Sequence, residues 1–316
     1  MRDIRIVFMG TPDFALGVLQ KLVEEERNIV GVITSPDKPA GRGRKLRQSA
    51  VKEYALSQDL KILQPKNLKE ESFLEELKGL HANLQIVVAF RMLPKVLWDL
   101  PEYGTFNLHA SLLPQYRGAA PINWAIMNGE KKTGVTTFFI DEKIDTGAII
   151  LNKEINIEKK ETVGTLHDKL MKVGSQLVIE TVSLIENENV LTVKQDKKDD
   201  TLEEAPKLTS DNTKIDWSQT SKKIDCFIRG LNPYPAAWTS ILNNEVELNI
   251  KIYDCDFEKA DHNELPGSLN ISKKELKIAS LNGWINIKEL KVPGKRKMDV
   301  KSLLNGFSFA QDAKVL

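Results

Sequence analysis

Apolar residues along this chain gather in short unbroken runs that alternate with stripes at helical spacing. The first run, Ile4-Arg5-Ile6-Val7-Phe8-Met9, is closed by Gly10-Thr11-Pro12 and reads as a buried parallel strand. Phe14, Val18, Leu19 and Leu22 then recur along one helical face until the charged stop Glu24-Glu25-Glu26-Arg27. Ile29-Val30-Gly31-Val32-Ile33 follows as a second strand, completing a βαβ unit. A Phe73, Leu74, Leu77 stripe precedes a further strand over 85–90, and Thr105 to Leu108 is the next. Alternation of this kind predicts an α/β fold with an open, mostly parallel sheet and helices on both faces. Gly134 to Ile140 and Ala148 to Leu151 flank a turn as two more strands. Val163, Leu166, Leu170, Val173, Leu177, Thr181 and Leu184 mark one face of a long helix, with His167 beside it as an ordinary helix residue.

The pattern changes after residue 193. Lys194 to Asn212 mixes charges with few apolar residues and no period, which predicts a linker between a domain over 1–193 and another over 213–316. Beyond it come a short helix, Ile224 to Arg229, and alternating runs such as Val246 to Ile252 and Trp284 to Ile287. Short strands broken by Gly and Asn predict a small β-barrel or sandwich.

Composition bounds the function only loosely. Forty-five Lys and Arg nearly balance 44 Asp and Glu, so a nucleic-acid partner would have to meet a local basic patch. The two cysteines, Cys226 and Cys255, lie outside any metal-ligand spacing, which predicts buried thiols in a reducing, cytoplasmic setting and no metal. No signal peptide opens the chain, and no apolar run approaches the roughly 20 residues of a membrane span. Without an exposed apolar seam, a monomer is expected. The first turn, Gly10 to Ala15, lacks the G-x-G-x-x-G fingerprint, which speaks against a dinucleotide cofactor.

Candidate chemistry concentrates between Phe106 and Gly147. His109 ends a strand and can exchange a proton near neutral pH. Asn107, two residues earlier, emerges on the same face. Asp145 stands on a Gly-terminated turn able to reach that sheet edge. A carboxamide for an oxyanion, an imidazole base and a supporting carboxylate form a set without its own nucleophile, which fits direct transfer between two bound substrates. Ser111 sits in no nucleophile elbow and more naturally shapes a turn. Arg117, among the small residues Gly118-Ala119-Ala120, is open to two readings, pairing with a ligand carboxylate or a structural ion pair.

The motifs N-x-H at 107–109, S-L-L-P-x-Y-R-G-A-A-P at 111–121 and D-x-x-x-D-T-G at 141–147 together resemble those of the folate-dependent formyltransferases. The resemblance extends to 7–15, 35–46, 214–217, 232–238 and 293–298. It implies a Rossmann-like formyltransferase domain followed by an OB-like β-barrel. It also implies 10-formyltetrahydrofolate as formyl donor and methionyl initiator tRNA as acceptor, for translation initiation. The family's catalytic residues map onto Asn107, His109 and Asp145, and its folate-contacting segment onto Ser111, Leu112, Leu113 and Pro114. In that mechanism the methionyl amine attacks the formyl carbon, His109 takes the proton, Asp145 supports the imidazolium and Asn107 donates to the oxyanion. Two stretches depart from the family pattern. Val87 to Pro94 is shorter and lacks a customary glycine, and the linker is less basic.

Acceptor binding points elsewhere. Lys38, Arg42, Arg44, Lys45 and Arg47 crowd a loop with one acid, Asp37, at the same sheet edge as His109, and can grip tRNA phosphates. Lys295-Arg296-Lys297 is a second basic cluster, on the barrel, which is expected to share in tRNA binding. Sugar-nucleotide N-formyltransferases share the core motifs and are the alternative. The long basic loop and the 232–238 and 293–298 segments favour the tRNA acceptor.

Overall fold

Why the first strand is apolar throughout is plain from its place in the computed structural model, which describes residues 1–40, 45–195 and 201–316. β1, Ile6–Gly10, is buried along its whole length between two parallel neighbours. The neighbours are β2, Ile29–Ile33, and β4, Leu84–Val88; β3, Ile62–Leu63, lies outside β2. β5, Thr105–His109, runs parallel to β4, and β6, Lys132–Phe139, pairs antiparallel with β5. β7, Ile149–Asn156, completes a seven-stranded sheet in the order β7-β6-β5-β4-β1-β2-β3. Strand order reverses about β1, so the chain has a topological switch point at the carboxyl ends of β1 and β4, where open α/β sheets bind ligands.

The helix Asp13–Glu24 buries Phe14, Ala15, Val18, Leu19 and Leu22, the periodic set plus one alanine. Each large apolar side chain among them contributes about 1.5–3 kcal/mol through burial. Phe73 and Leu77 of the helix Glu71–Gly79 pack with Val7, Met9, Ile33, Leu63 and Val87 in one apolar cluster. The long helix spans Val163–Glu186, and Gly174 on it leaves room for Leu108 of β5.

The chain divides into two compact units, 1–118 with 133–155 and 167–204, and 119–132 with 156–166 and 205–316. Two short segments that a boundary drawn on composition leaves with the N-terminal region thus group with the C-terminal one. For 119–132 apolar packing explains it, since Met127 belongs to the barrel's core and Trp124 packs against it. The 156–166 segment is instead tied by polar bonds, the Glu161 carbonyl accepting from Arg229 at 2.9 Å and Lys160 meeting Asp256 at 2.6 Å. That core is enclosed by an antiparallel sheet in the order Leu269–Ile271, Leu276–Ser280, Gly283–Lys291, Val246–Lys259, Ala237–Asn243 and Lys314–Val315. A bridge from Ser268 to Lys314 brings the two edges together, giving a nearly closed barrel and not a sandwich. The amphipathic helix Ser221–Leu231, capped by the Thr220 hydroxyl, covers the core with Ile224, Ile228 and Leu231. Both cysteines are buried free thiols, and burial pushes the Cys255 thiol well above its ordinary value. Among the described residues no helix is long and apolar enough to cross a membrane, and no cluster of His, Cys, Asp and Glu is arranged to hold a metal ion.

Candidate active site

β5 delivers two functional side chains to the carboxyl edge of the sheet. Its alternation puts Asn107 and His109 on one face, and pairing with Phe138 and Thr136 of β6 fixes their register. His109 is buried, with Nε2 2.8 Å from the Tyr116 carbonyl oxygen. A carbonyl only accepts, so Nε2 carries the hydrogen and the neutral ring keeps its lone pair on Nδ1. Nδ1 faces Asp145 Oδ2 at 3.8 Å, with the two side chains 7% and 12% exposed. That separation is longer than a direct hydrogen bond. It leaves the proton-accepting nitrogen beside a carboxylate without being consumed by it.

Asp145 reaches this position because the turn between β6 and β7 folds tightly. Asp141 Oδ1 accepts from the Lys143 N–H at 3.0 Å and the Thr146 hydroxyl at 2.7 Å. Gly147 is required there, since a Cβ would fall on the Phe139 carbonyl. Asp145 itself has φ of 54°, and its Oδ2 accepts from the Gly118 N–H at 2.9 Å. The motif's two aspartates therefore do different work: Asp141 shapes the turn and Asp145 faces the histidine.

Asn107 Oδ1 is buried and has no hydrogen-bond partner among the described residues. Leaving such an acceptor unmet costs about 1–3 kcal/mol. An orphan of this kind beside a base is what a place kept for a substrate donor looks like.

The segment Ser111–Pro114 is a turn held by its own serine and by Thr136 of β6. The Ser111 hydroxyl donates to the Gln115 carbonyl at 2.6 Å, so it is engaged in shaping the turn. Thr136 Oγ1 donates to the Ser111 carbonyl at 2.7 Å and accepts from the Leu113 N–H at 3.2 Å. Leu112 sits over Gly134, where any Cβ would strike it. The neighbouring 90–94 segment is tied by Arg91, which donates to the Lys66 and Pro65 carbonyls.

Of the two roles open to Arg117 in the sequence, the structural ion pair is not formed among the described residues. Among the described residues its partner is the neutral Gln195, whose Oε1 accepts from Nε at 3.1 Å and from a terminal nitrogen at 2.6 Å. Gln195 is buried, and its Nε2 donates to the carbonyls of Asp145 at 3.0 Å and Gly147 at 2.8 Å. Sequence reasoning missed Gln195 altogether. It lies inside the compositional linker, and nothing in a single sequence distinguishes a buried glutamine from a solvated one.

The basic residues stand apart from this centre. β2 and β5 are both parallel members of the sheet, so the segment after β2 leaves from the same edge as His109, with β1 and β4 between them. Lys38–Ala40 and Lys45–Arg47 form an antiparallel ribbon in which Lys38 pairs with Arg47, and both these cations are exposed. Arg42 and Arg44, and the side chain of Lys45, lie outside the described residues. The ribbon's base is anchored by Asp37, which meets Lys52 Nζ at 2.7 Å and Gln64 Nε2 at 2.9 Å. These bonds, Gln64's first and Lys52's next, hold the Asp37 carboxyl below its usual value. Ser49 caps the helix Ala50–Ser57 that presents Lys52. On the barrel, Lys297 is paired with Glu289 at 2.7 Å and lies 5.2 Å from the Tyr253 ring centroid.

The comparisons with known proteins bear on this geometry. Residues 4–182 match the formyl transferase family and residues 207–308 the formyl transferase C-terminal domain. The chain is 58% identical over 315 residues to methionyl-tRNA formyltransferase of Flavobacterium johnsoniae, covering 100% of both chains. It is 50% identical to the enzyme of that name from Bacteroides fragilis, covering 99% of this chain and 98% of the relative. Among solved structures, WlaRD, a sugar 3N-formyl transferase, shares the fold with a TM-score of 0.65 at 21% identity, over 94% of this chain and 100% of that one. HypX from Aquifex aeolicus in complex with tetrahydrofolic acid does so with a TM-score of 0.63 at 18% identity, over 96% of this chain and 47% of that one.

Proposed function

The chain belongs to the formyl transferase family, and on that footing we propose that it transfers the formyl group of 10-formyltetrahydrofolate to the α-amine of methionyl initiator tRNA, for translation initiation. The full-length 58% identity to an enzyme named for that reaction carries the choice of acceptor. The sugar-modifying protein WlaRD, at 21% identity, is like this chain in fold alone.

The formyl donor is a substrate, and it supplies the electrophilic carbon. The residues present fit such a ligand, since Asn107 offers an unmet buried acceptor and the Ser111–Pro114 turn adjoins it in sequence. His109 holds a lone pair on Nδ1, because the Tyr116 carbonyl occupies the Nε2 hydrogen, and Nδ1 is where the amine's proton goes. Once protonated, that edge of the ring faces Asp145, whose carboxylate stabilises the imidazolium. Asn107 donates from Nδ2 to the oxygen that gains charge while Oδ1 accepts from the attacking amine. Ser111, Leu112, Leu113 and Pro114 form the wall for the donor's folate. Lys38, Arg42, Arg44, Lys45 and Arg47 bind acceptor phosphates, with the barrel adding a second surface. No residue forms a covalent bond with the formyl group. The enzyme acts as a monomer in the cytoplasm, a reducing compartment that suits two buried unpaired thiols.

The test is formyl transfer from 10-formyltetrahydrofolate to Met-tRNA with an amino-sugar nucleotide as competitor. Transfer to the tRNA, undiminished by the competitor, is expected. Transfer to the sugar alone would contradict the reading.

A further inference from the structure

Gln195 is the one buried side chain in the described residues that ties the start of the compositional linker to both halves of the catalytic constellation. Its carboxamide uses its full hydrogen-bonding capacity. Oε1 accepts two bonds from Arg117, and Nε2 donates both its hydrogens, to the carbonyls of Asp145 and Gly147. The Arg117-Gly118 peptide returns to Asp145 through the Gly118 N–H. Asp145, Gly118, Arg117 and Gln195 thus close a hydrogen-bonded ring, and Asp145 is held in it at both its backbone carbonyl and its carboxylate.

The ring has a chemical consequence. Asp145 sits in the left-handed region, φ 54°, on a turn stretched between β6 and β7. A non-glycine residue rests there only when its surroundings hold it. The carboxylate's place near His109 Nδ1 therefore depends on what restrains the turn's backbone. Asp141 restrains the turn from the Lys143 and Thr146 side, while Gln195 restrains the Asp145 and Gly147 carbonyls directly. The linker is fastened a second time, to the loop that carries Arg117. Glu203 accepts from the Tyr116 N–H at 2.7 Å, and the Glu203 N–H donates to Gln115 Oε1 at 2.8 Å.

We propose that Gln195 is a positioning residue for formyl transfer, setting the placement of Asp145 against His109 from the linker. This rests on the reaction proposed above. Gln195 touches neither the histidine nor a substrate; it acts through Asp145 and Arg117. A glutamine is suited to the task because two carbonyls demand two donors while a guanidinium demands an acceptor, and a carboxylate or an ammonium meets only one of these demands.

The experiment compares Gln195→Met and Gln195→Glu in the full chain, with turnover normalised to active sites by single-turnover amplitude. Methionine fills the space with no hydrogen bond, and glutamate keeps the acceptor for Arg117 but loses both donors. Both are expected to lower kcat about ten- to a hundredfold, the scale of a small misplacement of a catalytic group. KM for 10-formyltetrahydrofolate and for Met-tRNA should stay within about twofold, a split that a general loss of folding would not produce. In an Asp145→Asn background, Gln195→Met should cost no further activity, because residues acting as a unit are not additive. A wild-type kcat per active site in either variant would overturn the proposal, as would full additivity with Asp145→Asn. An inactive wild-type enzyme in the same assay would instead sink the reaction on which the proposal rests.

Discussion

The candidate catalytic edge at β5 and the basic ribbon after β2 leave the same side of one sheet and are built by opposite means. At His109 nearly every polar atom is buried and spoken for: Nε2 by Tyr116, the Asp145 carboxylate by Gly118, Arg117 by Gln195. At the ribbon, Lys38 and Arg47 stand in solvent, and the firm bonds lie at its base, where Asp37 meets Lys52 and Gln64. Proton transfer needs groups held within fractions of an ångström. Phosphate binding needs charge in reach, and charge works at the length of a flexible side chain. Under the proposed function, that difference separates chemistry from acceptor choice along the chain.

Substitutions can break that separation, and the largest effect is expected at the base. His109→Ala should lower the single-turnover rate about 10²- to 10⁴-fold while leaving the affinity for Met-tRNA unchanged. Asn107→Leu should cost about 10²- to 10³-fold in kcat by removing the proposed oxyanion donor. The same change removes an unmet buried acceptor, so the variant should also be more stable, by about 1 kcal/mol in denaturant unfolding. A loss of stability would show that Asn107 Oδ1 is not desolvated at a cost.

Neutralising Arg42 and Arg44 together should raise KM for aminoacyl-tRNA and leave kcat nearly intact. If both cations contact phosphate, the slope of log affinity against log salt should shrink by about two. An unchanged salt slope would remove them from the interface. The smallest effect is expected at the ribbon's base. Asp37 is held below the usual carboxylate value, so its bonds to Gln64 and Lys52 stabilise the fold above the unfolded value of 3.8 and are lost as pH falls through the lower folded one. Hydrogen exchange in 38–40 and 45–47 should therefore rise below that pH, and Asp37→Asn should flatten the dependence.

The contrast also explains what was legible beforehand. Parallel strands buried on both faces carry runs such as Ile6 to Met9, and amphipathic helices carry stripes such as Phe14 to Leu22, so the sheet could be read directly. Asn107 and His109 share a strand face by simple alternation. Asp145 required a tertiary fold of the turn, for which Gly147 was the only local sign. Gln195 is invisible in the sequence because all its bonds are tertiary. The grouping of 119–132 with the barrel is likewise beyond composition, since Met127 and Trp124 are apolar wherever they pack. The ribbon's two strands, Lys38–Ala40 and Lys45–Arg47, are only three residues each, too short to show a period in the sequence.

One titration tests the central claim of local chemistry and remote acceptor choice most directly. Excess enzyme is titrated against Met-tRNA with saturating 10-formyltetrahydrofolate, and the maximal single-turnover rate and half-saturating concentration are read from the same curve. His109→Ala should lose the rate and keep the half-saturation point, whereas Arg42→Ala/Arg44→Ala should keep the rate and lose the half-saturation point. If both variants lose both quantities in the same proportion, the two regions are not separate in function and the account is contradicted.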